Sequence, residues 1–355
     1  MSLYPLKFVP RFVPKMWGGR KLQQIFGKSL PGEGPYGESW EVFDFPPGAT
    51  GPDAIQAGDD DRGWISATIA NGPLAGTTLH QIMVAHPASL LGQCAAVDTP
   101  HGGQFPLLIK FLDARDDLSV QVHPPPAYVS SHSGAHLKNE AWHILHCDPG
   151  ARLLLGARKG VTRAIFEQAL RAGTAEKEMN SVAVLEGETY YMPSGTLHAL
   201  GGGIVAYEVQ TPSDTTYRVF DFSRIDPSTG KPRTLHVEQA LDCIQFHWDA
   251  LQNKTPRQPQ HAIVAQAPQW ILMQIRLSAG AAYELNHDAG PIVATCVSGG
   301  GSVQSFGVTE EYTLGETIVL PPAESTRLRP ARDSTLLLAG VPPVDRAQLL
   351  PRSVA

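Results

Sequence analysis

The chain has 355 residues, with 28 Lys and Arg against 34 Asp and Glu, for a formal net charge of −6. That mild acidity leaves no cationic surplus to neutralise phosphates, so duplex nucleic acid is excluded as an expected partner. A 42 % hydrophobic and 17 % charged composition excludes wholesale disorder, and no apolar run approaches the roughly 18 residues of a membrane span.

From the start, MSLYPLKFVPRF lacks the apolar stretch of a signal peptide. Residues 20–26 read as a short helix. Thr77–Gly92 reads as a capped helix with apolar Leu79, Ile82, Met83, Leu90 and Leu91, broken by Pro87. Residues 107–114, 118–123, 140–147, 152–156, 182–185, 204–210 and 216–222 read as strands. The other clean helix, Thr162–Ala172, has Thr162 as its cap and Gly173 as its stop. Gly (34) and Pro (30) make up more than a sixth of the chain and cut it into short pieces. Short strands at this spacing, without the helices a parallel sheet needs, predict a mainly β sandwich or barrel. The polar stretch QNKTPRQPQ at 252–260 is the expected linker, with the turn-rich DPSTGKP ending at Pro232 as the alternative boundary. Cys94, Cys147, Cys243 and Cys296 form no CxxC pair, so they are expected to be reduced thiols of a cytoplasmic protein.

A repeat runs through the chain. Gly187-Glu-Thr-Tyr-Tyr-Met-Pro193-Ser-Gly195-Thr-Leu-His198 returns 128 residues later as Gly315-Glu-Thr-Ile-Val-Leu-Pro321-Pro-Ala323-Glu-Ser-Thr326. Two copies of one β unit are expected. The first carries an insertion at about 157–180 holding the 162–172 helix, which could serve as a lid. The second has Thr326 where the first has His198.

In Ser119-Val-Gln121-Val-His123 the strand period of two puts Ser119, Gln121 and His123 on one face and the valines on the other. Lys138 and Glu140 share a face in the same way, and His198 follows the Pro193–Gly195 turn. Two imidazoles and a carboxylate from three strands make a mixed N/O set suited to zinc or another divalent first-row metal, with Gln121 or water to complete it. Glu208 and Gln210 share another strand face. Arg218, after the Ser213-Asp214 turn, could steady a phosphate or an oxyanion, or form an ion pair with Asp214 or Asp221. The remaining histidines, His101 and His136 among them, stand in no such setting and read as ordinary polar residues.

Together these stretches resemble the type I mannose-6-phosphate isomerases of the cupin superfamily, in their short bacterial form. The motifs are Trp17-Gly18-Gly19, Gly37-Glu-Ser-Trp-Glu41, the Phe105–Asp113 strand, LSVQVHP at 118–124, KNEAW at 138–142, YYMPSGTLHALGGGI at 190–204 and EVQTPSDTTYRVFDFSR at 208–224. The resemblance implies a cupin-type jelly-roll barrel as the catalytic unit, over residues 1–250; beyond about Val237 the repeat alone predicts a second, tandem jelly roll over 261–355, degenerate and metal-free. The resemblance implies one zinc ion held by Gln121, His123, Glu140 and His198. It implies Arg218 as the catalytic arginine, Lys138 and Glu208 in acid–base roles, Ser119 at the substrate phosphate and Lys110 lining the pocket. The implied reaction interconverts mannose 6-phosphate and fructose 6-phosphate through a cis-enediol, in a monomer or small homo-oligomer. An isomerase of another aldose, an iron oxygenase and a non-catalytic sugar-phosphate sensor are the competing readings. An oxygenase would favour an H-x-H pair, where this chain has Gln121 before His123.

Overall fold

The computed structural model describes residues 3–48, 63–247 and 249–354. Strands dominate it and form three principal sheets with antiparallel ladders. Seven strands make the first sheet, in the order Lys254–Thr255, Thr189–Met192, Glu140–Cys147, Ile204–Gln210, Leu108–Ala114, Arg11–Gly19, Tyr36–Val42. Five make the second: Met179–Ala183, Arg152–Ala157, His198–Leu200, Val120–Val122, Tyr217–Phe220. The third sheet has nine strands, centred on Ile292–Ser305 and Thr326–Gly340.

Strand alternation decides what each face meets. On Ile204–Gln210, Ile204 and Ala206 turn inward to pack with Leu153, Leu155 and Leu200 of the second sheet. Further along that face, Glu208 borders a cavity between the two sheets. The opposite face carries Tyr207 and Val209, which join Ile109 and Ala141 in a large core shared with Trp270, Ile292 and Leu337 of the third sheet. The seven-stranded sheet is therefore buried on both sides. Leu6–Lys7 pairs with Val319 and Ile318, so the start of the chain is a strand of the third sheet.

The two stretches of the repeat adopt matching structure. Thr189–Met192 and Thr317–Leu320 are strands at the offset of 128, and His198 and Thr326 each open the strand that follows. The expected helix at 77–92 is split: Leu79–Ala85 begins on a Thr78–Gln81 capping box, and Pro87 starts a second piece, Pro87–Leu91. The strand expected at 182–185 lies at Met179–Ala183 instead. Strands Arg11–Gly19 and Tyr36–Val42 and helix Val237–Cys243 form where the sequence pattern suggested nothing.

The helix expected at 162–172 is present as Arg163–Arg171, with the Thr162 side chain accepting from the Ile165 N–H. The lid idea does not survive. Phe166 and Ala169 pack with Val120, Val122 and Leu154 on the outer face of the five-stranded sheet, and no residue of the helix lines the cavity. Among the described residues, no helix is long and apolar enough to cross a membrane.

Candidate metal centre and active site

His123, Glu140 and His198 come together, each offering a ligand atom within 4.8 Å of the other two. The register explains why. His198 pairs with Gln121 across the second sheet, Gln210 pairs with Glu140 across the first, and His123 directly follows the strand Val120–Val122. A turn then binds these pieces together. Gly195, at φ +94°, donates its N–H to the His123 carbonyl at 2.8 Å, and a Cβ there would strike Gln245. Ser194 Oγ accepts from Lys138 N at 3.0 Å, and Asn139 Oδ1 accepts from Ser194 N at 2.9 Å.

Both imidazoles are oriented from behind. His123 Nδ1 lies 3.0 Å from the Thr215 carbonyl and His198 Nδ1 lies 2.8 Å from the Thr196 carbonyl. Each carbonyl can take only an N–H, which fixes the tautomer and leaves the Nε2 lone pairs for a cation. Those Nε2 atoms lie 3.3 and 2.9 Å from Glu140 Oε1. Even so, His123 Nε2 and both Glu140 carboxylate oxygens are buried without a properly aligned hydrogen bond. Lys138 compensates Oε2 only; Oε1 and the two Nε2 atoms converge as acceptors, which costs free energy unless something positive sits among them, so these residues fit a metal ion. Gln121 reaches His198 Nε2 with its amide at 3.2 Å. An amide turned over would point its oxygen at the same place.

Charge supports this arrangement. Burial, then Lys138, pushes the His123 imidazole down to about 4, so it is neutral and able to ligate at pH 7. Burial alone would raise Glu140, but Lys138 and His123 outweigh it and hold the carboxyl well below its usual range. Lys138 Nζ is 3.0 Å from Glu140 Oε2.

Gln121 and Lys138, which touch His198 and Glu140, also border a cavity of about 120 Å³, together with Ser119, Arg218, Glu208 and Lys110. Arg218 Nε donates to Ser119 Oγ at 3.2 Å and Nη1 donates to the Thr234 carbonyl at 2.9 Å. Burial, then Arg233, lowers the Arg218 guanidinium to about 10, which still leaves it a cation. Glu208 accepts from Trp142 Nε1 at 2.8 Å through Oε2, while its Oε1 has no hydrogen bond. Burial raises the Glu208 carboxyl despite Lys110 Nζ at 3.4 Å.

Comparison with known proteins follows the same lines. A sequence profile of the phosphomannose isomerase type I catalytic domain matches residues 62–155. The chain is 34 % identical over 323 residues to a probable mannose-6-phosphate isomerase, GmuF, of Bacillus subtilis, covering 90 % of this chain and 93 % of that one. It belongs to the type I phosphomannose isomerases. A mannose-6-phosphate isomerase of Streptococcus mutans is 31 % identical, over 89 % of this chain and 92 % of that one. The crystal structure of the mannose 6-phosphate isomerase from Bacillus subtilis superposes with a TM-score of 0.78 at 27 % identity, covering 96 % of this chain and all of that one. The mainly β, cupin-type fold is thus shared with that isomerase.

Within this phosphomannose isomerase, six of the nine residues singled out by sequence line one cavity, and the other three, His123, Glu140 and His198, form the buried trio that Gln121 and Lys138 touch. Asp221 acts on the Arg218 guanidinium electrostatically and pairs with Arg233 and Arg224 at 2.5 Å each. Sequence reasoning gave no site role to Lys15, Glu38, Trp40 or Arg233, and read Asp214 only as a possible ion-pair partner of Arg218; all five line the cavity. Glu38 bridges Lys15 at 3.2 Å and Lys110 at 3.5 Å and accepts from Trp40 Nε1 at 2.6 Å. The Glu38-x-Trp40 period of two was the available signal. Arg233 lies in a loop and had none.

Proposed function

We propose that this phosphomannose isomerase interconverts mannose 6-phosphate and fructose 6-phosphate through a cis-enediol, with one Zn²⁺ held by Gln121, His123, Glu140 and His198. The observation that carries the metal is the convergence of His123 Nε2 and His198 Nε2 on Glu140 Oε1, all three residues being buried. Two imidazoles, a carboxylate and an amide suit a borderline cation such as Zn²⁺ better than Mg²⁺ or Ca²⁺. When bound, the ion would supply Lewis-acid polarisation of the sugar oxygens and help to orient them.

The chain's own residues divide the remaining work. Ser119 and Arg218, joined by a hydrogen bond, receive the anionic end of the substrate and the charge that develops on the enediol. Glu208 is the proton carrier between C1 and C2: it borders the cavity, its Oε1 makes no hydrogen bond beside the ion pair with Lys110 at 3.4 Å, and its raised affinity for protons suits a group that must both take and return one. Lys110 and Trp142 hold the carboxylate in place. Lys138 balances the charge of Glu140 and faces the same cavity, which makes it the alternative carrier. Apolar walls such as Trp17, Leu108 and Leu112 exclude water from the enediol.

Residues 1–250 are read as the catalytic unit and 261–355 as a second, degenerate jelly roll. In place of the metal histidine it has Thr326, whose hydroxyl is taken up by His287 Nε2 at 2.8 Å. A phosphorylated sugar substrate, which does not cross membranes unaided, places the activity in the cytoplasm, in a monomer or small homo-oligomer. The test is formation of fructose 6-phosphate from mannose 6-phosphate by chelator-stripped protein before and after Zn²⁺ is returned. Activity that disappears and comes back with zinc is expected. A fully zinc-loaded chain that leaves mannose 6-phosphate unchanged would overturn the reading.

A further inference from the structure

A second cluster of metal-type donors lies outside the trio and shares no residue with it. His101, His136 and Asp214 each place a ligand atom within 4.8 Å of the other two. The imidazole rings are 4.1 Å apart, inclined at 56°, and His101 Nε2 is 3.6 Å from Asp214 Oδ1. His101 Nε2 and His136 Nδ1 are both buried and neither makes a hydrogen bond. An ordinary His–Asp pair would account for one imidazole, at a distance too long for a hydrogen bond, and would leave the second unexplained.

The backbone holds the three in place without using those nitrogens. His101 N donates to Gln104 Oε1 at 3.0 Å, and Gln104 Nε2 donates to the Pro212 carbonyl at 3.3 Å. His136 N donates to Thr215 Oγ1 at 3.2 Å, and Ser213 Oγ donates to the His136 carbonyl at 3.4 Å. Three segments far apart in sequence are thus laced together around two imidazoles whose buried His101 Nε2 and His136 Nδ1 make no hydrogen bond. Burial, then the neighbouring His101, holds the His136 imidazole below its ordinary value, so it is neutral as a ligand must be.

We propose that His101, His136 and Asp214 form a second binding site for a first-row divalent cation, set into the wall of the substrate cavity. Two imidazoles and one carboxylate select Zn²⁺, Co²⁺, Ni²⁺ or Fe²⁺ over the hard, oxygen-seeking Mg²⁺ and Ca²⁺. Three protein donors leave open positions for water. Asp214 borders the cavity, so the ion would lie beside bound sugar. Its neighbour Thr215 presents the carbonyl that orients His123, which joins this site to the first by one peptide unit.

The test is equilibrium dialysis of the metal-free full-length chain against Co²⁺, counting ions per chain and recording the visible absorption that imidazole ligands produce. Wild-type protein is expected to hold two ions, and His101→Ala and His136→Ala one each, with thermal unfolding confirming that the variants are folded. His123→Ala should also hold one, and that ion should be lost when His101→Ala is added. Asp214→Asn gives the same reading should either histidine variant fail to fold. A wild-type chain that holds a single ion, lost in His123→Ala and untouched by His101→Ala, overturns the second site and leaves the first standing. A single ion lost only in His101→Ala supports the second site and sinks the first.

Discussion

The ammonium of Lys138 stands 3.0 Å from Glu140 Oε2, with both side chains almost wholly buried. A buried carboxylate needs compensation, and here it has Lys138 on one side and, when loaded, a metal on the other. Removing the lysine from the metal-free protein should leave an uncompensated charge, at a cost of about 3 kcal/mol. Lys138→Met is therefore expected to lower stability by about that amount without metal, and Zn²⁺ should return most of it. Urea unfolding of both forms with and without Zn²⁺ measures this. Equal losses in the loaded and stripped states would mean that Lys138 and the ion do not share Glu140.

Glu208, the proposed proton carrier, gives a second test. Its carboxylate is held by Trp142 through Oε2 and by Lys110 at 3.4 Å from Oε1, in a side chain that borders the cavity. Glu208→Gln keeps the shape and removes the base. The expected result is a loss of kcat of about 10²–10⁴, the usual worth of a general base, with metal content and KM little changed. Steady-state kinetics with a metal count decides. A Glu208→Gln variant retaining kcat would move the proton transfer to Lys138.

Strand parity made much of this site legible. Val120 and Val122 are buried in a core on one face, which forces Gln121 and then His123 to the other, and the same rule places Glu140 with Trp142. Parity speaks only of faces, however, and not of partners across hundreds of residues. Nothing local to Leu6–Lys7 announces Val319 and Ile318 as its ladder partners. His101 and His136 went unread for a related reason: each sits in an irregular segment, and their meeting is set by side-chain bonds through Gln104 and Thr215. The misjudged lid was a matter of side. Phe166 gives Arg163–Arg171 an apolar face, but amphipathicity cannot tell the outer surface of a sheet from the mouth of a cavity.

Two buried histidines away from the trio predict how the protein responds to acid. Burial pushes His143 and His287 down to about 4 each. The unfolded chain takes up these protons near pH 6.5, while the fold resists them until about pH 4. Stability should thus be fully present above pH 6.5 and fall as pH drops toward 4, by about 3 kcal/mol for each residue. His287→Gln, which can still reach Thr326, should remove about half of this slope. Urea midpoints at pH 7, 5.5 and 4.5 check it, and a slope unchanged by the substitution would refute the assignment.

The C-terminal part reaches the candidate metal centre through Asn139, the residue next to Glu140. Trp270 Nε1 donates to the Asn139 carbonyl at 3.2 Å, and Asn139 Nδ2 donates to Gln269 Oε1 at 2.7 Å. The same part covers one face of the seven-stranded sheet and pairs with Leu6–Lys7. A chain ended at residue 250 would expose that apolar face and lose the clamp on Asn139, so it should be recovered only as aggregate. The finer test is Trp270→Phe, which keeps the packing and deletes one hydrogen bond. It should cost about 1 kcal/mol of stability and, by loosening Glu140, weaken metal binding about tenfold. Metal titration of the stripped variant reads the second effect apart from the first. Wild-type affinity in Trp270→Phe would show that the C-terminal part covers the sheet without steadying the site.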